Sequence, residues 1–341
     1  MSLTLERPAL ASQAVDDQHG HNETGLDTRR RIHIGLVNNM PDTALAATER
    51  QFVRLLQDAS GDYDVRLRLY ALGSAPRSLA ARREMQATYH HARSLRATHL
   101  DGLIVTGAEP LAPTLPQEAY WRELIDVFDF SRVRTRSTIF SCLAAHAAVL
   151  HWDGITRIPL PRKLSGVFAA RVVRPHPLVD GFPLGLSVPH SRLNGVDEAV
   201  LGDKSYTSLV RSDEAGVDLF VKDGTSLLVF LQGHPEYDAD SLAREFRRDL
   251  SRYLTAEREA PPDPPSGYFD ADTLAEVEAL VCRARLERRP ELASCFPPAA
   301  LNKASDAAWR SNSRRLYRNW LATIAERKEA LEPSLAVGRF F

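Results

Sequence analysis

Apolar and polar positions along the chain fall into short compact runs alternating with longer amphipathic ones. RIHIGLVNN (31–39) is the compact apolar run of a buried strand. After a turn at Met40-Pro41-Asp42, ALAATERQFVRLLQD (44–58) places Phe52, Leu55 and Leu56 on one helical face. YDVRLRLYAL (63–72) alternates, with Val65, Leu67 and Leu69 on one side, and predicts a second strand. A polar, helical connection leads to a third strand at LDGLIVTG (100–107). Further strands are expected at RSTIFSC (136–142), GVFAARVV (166–173), DLFVK (218–222) and SLLVFLQG (226–233). Strands alternating with helices predict an α/β fold: an open, mostly parallel twisted sheet flanked by helices, its ligand site at the carboxyl ends of the strands. Gly107, Cys142 and Gly233 stand at three such ends.

Outside this core pattern, residues 1–30 show no sustained hydrophobic period and read as a flexible leader, with order beginning near Arg31. The main domain is expected over 31–258. From 259 to 341 the chain reads as a linker followed by added C-terminal helices. EAPPDPPSG (259–267) contains four prolines, which forbid a continuous helix. Beyond it lie a capped amphipathic helix at 270–289 and another at 309–329. Both are expected to pack on the same domain or on a dimer partner.

The charge balance narrows the partners. In 341 residues, 43 basic side chains oppose 44 acidic ones, so no bulk field points to nucleic acid or an anionic membrane. Small molecules are the expected ligands. The three cysteines, Cys142, Cys282 and Cys295, are too scattered for a disulfide framework and form no C-x-x-C pair, so neither a metal site nor an oxidising compartment is indicated. No run of 18 apolar residues occurs, and the N-terminal stretch lacks the apolar segment of a signal peptide. A cytoplasmic enzyme is the expectation.

Candidate chemistry starts at FSCLAAHAAVL (140–150). A cysteine on a turn between strand and helix is either a small buried hydrophobe or a nucleophile whose thiol pKa is lowered at the helix N-terminus. In the second reading the Leu143 amide is the nearest oxyanion donor. GHPEYDADSLAREFRRDL (233–250) bears on the choice. Residues two apart in extended chain point the same way, so His234 and Glu236 can face one another across Pro235 and supply the base of a Cys-His-Glu triad. On the following helix Glu245 and Arg248 share a face, either as a surface ion pair or as receptors for the ammonium and carboxylate of an amino acid.

Collinear blocks, NNMPDTALAATERQFVRLL, LDGLIVTGAEP, EAYW, SCLAAHAAV, PLPRKLSGVF, VPHSR, GHPEYDADSLAREFRRDL and AAWRSNSRRLYRNWL, resemble the homoserine O-acyltransferases (O-succinyl- and O-acetyltransferases) with a glutamine amidotransferase-like, flavodoxin-like fold. The resemblance spans roughly residues 31–325 and leaves an apparent insertion between Pro261 and Pro298. It implies that Cys142 carries the acyl group as a thioester, that His234 is the general base and that Glu236 orients it. It implies substrate contacts at Lys163, Ser191, Glu245 and Arg248, acyl-CoA as co-substrate with no bound cofactor, a homodimer, and a place in methionine biosynthesis.

The departures from the family pattern set further expectations. Asp42 and Thr43 stand where the family often has a lysine pair, and Leu143 and His146 where it usually has Trp and Gln. His146, one helical turn past Cys142, either touches the substrate or, the favoured reading, packs or hydrogen-bonds behind the site. The position that separates succinyl from acetyl donors aligns with Leu111, whose bulk and lack of a donor for a second carboxylate weakly favour acetyl. Pro110 and Pro113 have no N–H, which leaves Glu109, Leu111 and Ala112 as oxyanion donors from that loop. Rival functions are acylation of serine or another hydroxy amino acid, a glutaminase, for which the elbow lacks G-x-C-x-G-x-Q, and a non-catalytic binding protein.

Overall fold

The computed structural model describes residues 3–8, 30–301 and 307–330. Strand β1 (Leu3–Glu6) is followed by β2 (Arg31–Val37), whose Ile32, Ile34 and Leu36 are wholly buried. Pro41 then starts helix α1 (Asp42–Ala59), which buries Leu45, Thr48, Phe52, Leu55, Leu56 and Ala59, the spacing of one helical face. Asp42 opens this helix and accepts the Ser78 N–H at 2.9 Å, with Arg77 beside it. The acid in the first turn also suits the helix dipole.

Strand β3 (Asp64–Ala71), helix α2 (Leu79–Gln86), strand β4 (Tyr89–His91) and strand β5 (Gly102–Val105) follow. Next come α3 (Trp121–Arg134), β6 (Ser137–Ser141) and α4 (Leu143–Asp153). The long β7 (Ile158–Val172) pairs with β8 (Leu186–Gly195), and α5 (Glu198–Asp203), β9 (Thr207–Ser212), β10 (Gly216–Lys222) and β11 (Leu227–Leu231) complete the sheet. Three helices follow: α6 (Ser241–Leu254), α7 (Ala271–Leu286) and α8 (Arg310–Glu329).

The strands form one open sheet in the order β1-β3-β2-β5-β6-β11-β10-β9-β7-β8, with β4 sharing the β3 edge. Pairing is parallel from β1 through β11, as expected, and antiparallel from β11 to β8. The antiparallel extension is where the sequence pattern fell short. β8 and β9 were not expected, and β7 begins at Ile158 rather than Gly166. Prolines and charged residues in PLPRKLS break up the apolar signal, whereas antiparallel pairing to β8 carries the strand through them.

The expected start of order near Arg31 is also corrected, because Leu3–Glu6 pairs in parallel with Val65–Arg68. Four residues carry too little pattern to announce a strand; pairing to the β3 edge, with Arg68 Nε 2.5 Å from Glu6, creates it. The rest of the expected leader, residues 9–29, lies outside the described residues.

The C-terminal helices pack on the same domain. α8 lays Leu316, Tyr317, Trp320, Leu321 and Ile324 into the core formed by Ile32, Ile34 and Ile139, and Trp320 Nε1 donates to Ser137 Oγ at 2.8 Å. Each such fully buried side chain contributes roughly 1.5–3 kcal/mol. α7 closes a smaller core with α6 around Phe246, Leu250, Val277 and Val281. Between them the Pro-rich segment stays extended and touches β7: Ser266 bridges Gly166, where a Cβ would stand 2.3 Å from the Ser266 carbonyl oxygen.

Candidate active site

Strands β6 and β11 run parallel with Ser141 opposite Leu231, so Cys142 and the segment Gln232-Gly233-His234 leave the sheet side by side. β5 flanks β6 on the other side and delivers Gly107 to the same turn. The three strand ends singled out in the sequence therefore meet at one place.

At Cys142 the chain passes from β6 directly into α4 with φ 50° and ψ −109°. A non-glycine residue in such a conformation costs on the order of 1–3 kcal/mol. The Cys142 N–H donates to the Leu231 carbonyl at 2.7 Å, and α4 is buried from Leu143 to Val149, so the surroundings over-determine the turn. The Cys142 sulfur is only half-buried and sits at the N-terminus of α4. A packing cysteine needs none of this strain.

The Leu143 N–H is the first of its helix and has no intrahelical acceptor. A Cβ on Gly107 would stand 3.2 Å from the Leu143 nitrogen, so the bare glycine keeps the space over this amide open. In the neighbouring loop the Leu111 and Ala112 amides both donate to Glu118 Oε1, at 2.7 and 2.8 Å. Two of the three loop donors the sequence left open are thus committed elsewhere. The Leu111 side chain is 72% exposed.

His234 Nδ1 lies 2.8 Å from Glu236 Oε1, with both side chains buried. The ring's Nε2 is buried and makes no hydrogen bond of ordinary geometry among the described residues. Burial alone pulls this imidazole's pKa down, but the Glu236 carboxylate and the Cys142 sulfur outweigh it and hold the pKa well above its ordinary value.

Tyr237 completes this arrangement, and sequence reasoning gave it no role although it belongs to the GHPEYD block. Its ring stacks on His234, with centroids 4.3 Å apart and planes 18° apart, and its hydroxyl donates to Glu245 Oε1 at 2.5 Å. Behind the base, His146 Nε2 meets Gln232 Oε1 at 2.9 Å, and burial pushes this histidine down to about 4, so it is neutral at pH 7. His146 is thus buried and hydrogen-bonded behind the site, as the favoured expectation had it. Asp218 accepts the Gly233 N–H at 2.8 Å and stands 3.6 Å from His190 Nε2.

Alongside lies a charged cluster built by the β7–β8 pair and α6. Ser165 pairs with Ser191 in register, which brings Lys163 and Ser191 to one end of the hairpin, opposite Glu245 and Asp249 on α6. Lys163 Nζ donates to Asp249 at 2.8 Å and to Glu245 at 3.3 Å, and Ser191 Oγ donates to Glu245. Burial raises the Glu245 pKa, but Lys163, Ser191 and Tyr237 together bring it below the usual carboxylate value. Glu245 and Arg248 form no surface ion pair among the described residues. Glu245 turns inward, while Arg248 pairs with Asp249 at 2.9 Å and keeps its side chain 40% exposed. The surface-ion-pair reading is thereby set aside.

The sequence pattern of the family described as homoserine O-succinyltransferase matches residues 15–330. A homoserine O-succinyltransferase of Rhodopseudomonas palustris is 47% identical over 321 residues, covering 94% of this chain and 96% of that protein. Those of Methylorubrum extorquens and Bradyrhizobium japonicum are 46% and 47% identical, covering 88% and 89% of this chain and 89% and 94% of theirs. A solved glutamine amidotransferase from Methylobacillus flagellatus overlays with a TM-score of 0.48 at 12% identity over 87% of this chain and 95% of that one, too slight a likeness to bear on function. The chain belongs to the homoserine O-succinyltransferase family.

The weak preference for an acetyl donor is corrected. It rested on the bulk of Leu111 and its lack of a donor for a second carboxylate, but that side chain is 72% exposed and the relatives are named for succinyl transfer.

Proposed function

We propose that the chain transfers a succinyl group from succinyl-CoA to the side-chain hydroxyl of L-homoserine, through a thioester on Cys142. The supporting observation is the joining of two assemblies. Cys142, His234 and Glu236 stand at adjacent strand ends, and Tyr237 links their base directly to the Glu245–Lys163–Ser191 cluster. A glutaminase reading is disfavoured by the elbow, where Phe140, Ala144 and His146 replace the residues of G-x-C-x-G-x-Q.

In the first half-reaction the Cys142 thiolate attacks the thioester carbonyl, and the oxyanion forms under the Leu143 amide. The carbonyl re-forms as the bond to CoA sulfur breaks, and the departing thiolate takes the proton carried by His234. In the second, the homoserine hydroxyl gives its proton to His234 and attacks the acyl carbon, and Cys142 leaves as thiolate. Acylation removes the negative charge on sulfur that helps raise the His234 pKa, so that pKa falls in the acyl-enzyme, when the alcohol needs a base. Glu245 would receive the substrate ammonium and Arg248, exposed at the edge of the cluster, its carboxylate.

Intact mass after mixing with succinyl-CoA tests the reading: an adduct of about 100 Da that disappears in Cys142→Ala is expected. An adduct that survives this substitution, or none with either succinyl- or acetyl-CoA, overturns it. Release of CoA with homoserine, compared with serine, decides the acceptor. The homodimer belongs to the same proposal, and light scattering at assay concentration reads it.

A further inference from the structure

Beside the charged cluster a groove of about 440 Å³ runs between β7, α6, the Pro-rich segment and α7. Its charged lining is Arg162, Lys163, Arg258 and Arg285 against Asp249 and Asp263. Asp249 is already met by Lys163 at 2.8 Å, Arg248 at 2.9 Å and Arg258 at 3.5 Å. The Arg162–Asp263 pair is long, at 3.8 Å, and both partners are more than half exposed. Arg285 has no hydrogen bond or ion pair among the described residues. Four cations face two carboxylates, and Lys163 is also met by Glu245, so Arg285 and the loosely paired Arg162 leave a surplus of positive charge in the recess.

We propose that this groove holds the phosphate-bearing nucleotide end of acyl-CoA, an inference that rests on the acyl-transfer reading above. Lys163 and Asp249 belong to both the groove and the substrate cluster. From Lys163 the contacts run through Glu245 and Tyr237 to His234, so a thioester arm extending from the groove reaches the reacting sulfur across the cluster. Leu193, 58% exposed, and the prolines of the Pro-rich segment give the same groove an apolar wall against which a purine can lie. A second basic hollow, lined by Arg54, Arg310 and Arg314 at the start of α8, does not serve this purpose. Glu236 forms its wall, so the triad itself stands between that hollow and Cys142.

The proposal gives the Pro-rich segment and α7 a task. α7 supplies Arg285, and the Pro-rich segment, with Arg258 just before it, walls the flank of α6 into an anion site. Arginine suits the role, since its planar fork can meet phosphate oxygens in pairs.

The test uses the full chain with two donors, the acyl-CoA that acylates the parent enzyme and the same acyl group on N-acetylcysteamine, a thioester with no nucleotide. Arg285→Glu and Arg162→Glu both lie at exposed positions outside the triad and its cluster. Each reversal is expected to raise KM for the acyl-CoA roughly tenfold or more and to reduce the salt dependence of kcat/KM. KM for homoserine and for the truncated donor should stay at parental values. If KM for the acyl-CoA stays within about twofold of parent, or if both donors suffer equally, the groove is not the nucleotide site. Failure of the parent chain to form a Cys142 adduct with either donor would instead overturn the acyl-transfer reading.

Discussion

Tyr237 lies flat against His234, centroids 4.3 Å apart, while its hydroxyl reaches Glu245 at 2.5 Å. One side chain thereby couples the proposed base to the carboxylate proposed to receive the amino acid. Tyr237→Phe keeps the stack and removes the hydrogen bond. A hydrogen bond to a charged group contributes about 1.5–3 kcal/mol, so the homoserine KM is expected to rise at least ~10-fold. The rate of Cys142 acylation, measured by stopped-flow release of CoA, should stay near parental; an unchanged KM for homoserine shows that the bridge has no role in acceptor binding.

The second prediction concerns charge at the triad. His234 has a raised pKa in which the Cys142 sulfur takes part. Alkylating Cys142 with iodoacetamide replaces that negative charge by a neutral group, so the His234 pKa should fall. NMR titration of the ring protons reads this directly. A pKa that stays put on alkylation would mean that the sulfur does not act on the ring and that the two half-reactions do not differ in the way proposed.

Gly107 provides a test of the oxyanion site. Its φ lies outside the left-handed region, so alanine fits the backbone, yet a Cβ would sit 3.2 Å from the Leu143 nitrogen. Gly107→Ala is expected to lower kcat by ~10- to 100-fold by crowding the oxyanion's place. The melting temperature should change little. Full activity in this variant would remove the Leu143 amide from the mechanism.

The buried Asp218 sets a pH dependence of stability. Burial raises its pKa to about 6, against the lowering by the Gly233 N–H and Arg192. A carboxyl whose folded pKa exceeds its unfolded value binds more protons when folded, so its favourable contribution is complete below the unfolded pKa and is lost as pH rises through about 6. Asp218→Asn lacks this titration and keeps an acceptor for the Gly233 N–H. Its stability relative to the parent should grow between pH 4 and pH 7, by up to ~3 kcal/mol. Urea melts at both ends of that range check it, and a pH-independent difference would refute it.

Much of the site was legible because its chemistry sits on contiguous segments. The apolar runs located β2, β5, β6 and β11, and the residues that follow such runs are where a parallel sheet presents its ligands. His234 and Glu236 are two apart, and Glu245 and Arg248 follow on the next helix, so local geometry alone suggested their pairing with a base or substrate. The antiparallel half of the sheet was harder to read. β8 carries Ser191 and Arg192 amid polar residues, and its existence depends on β7 lying beside it.

The sequence by itself determined which residues could react and where the sheet would place them, because a strand's end and a helix's start follow from local periodicity and backbone sterics. Only the tertiary structure decided their partners. The adjacency of β6 and β11 brings Cys142 to His234, and the turn of α6 sends Glu245 inward to Lys163, Ser191 and Tyr237 rather than across its own face to Arg248. It also decided that Leu111 faces solvent and that its amide is held by Glu118, which removed the argument for acetyl. Such choices depend on contacts between segments scores of residues apart, where a buried charge must find a partner, and no local pattern records which one it finds.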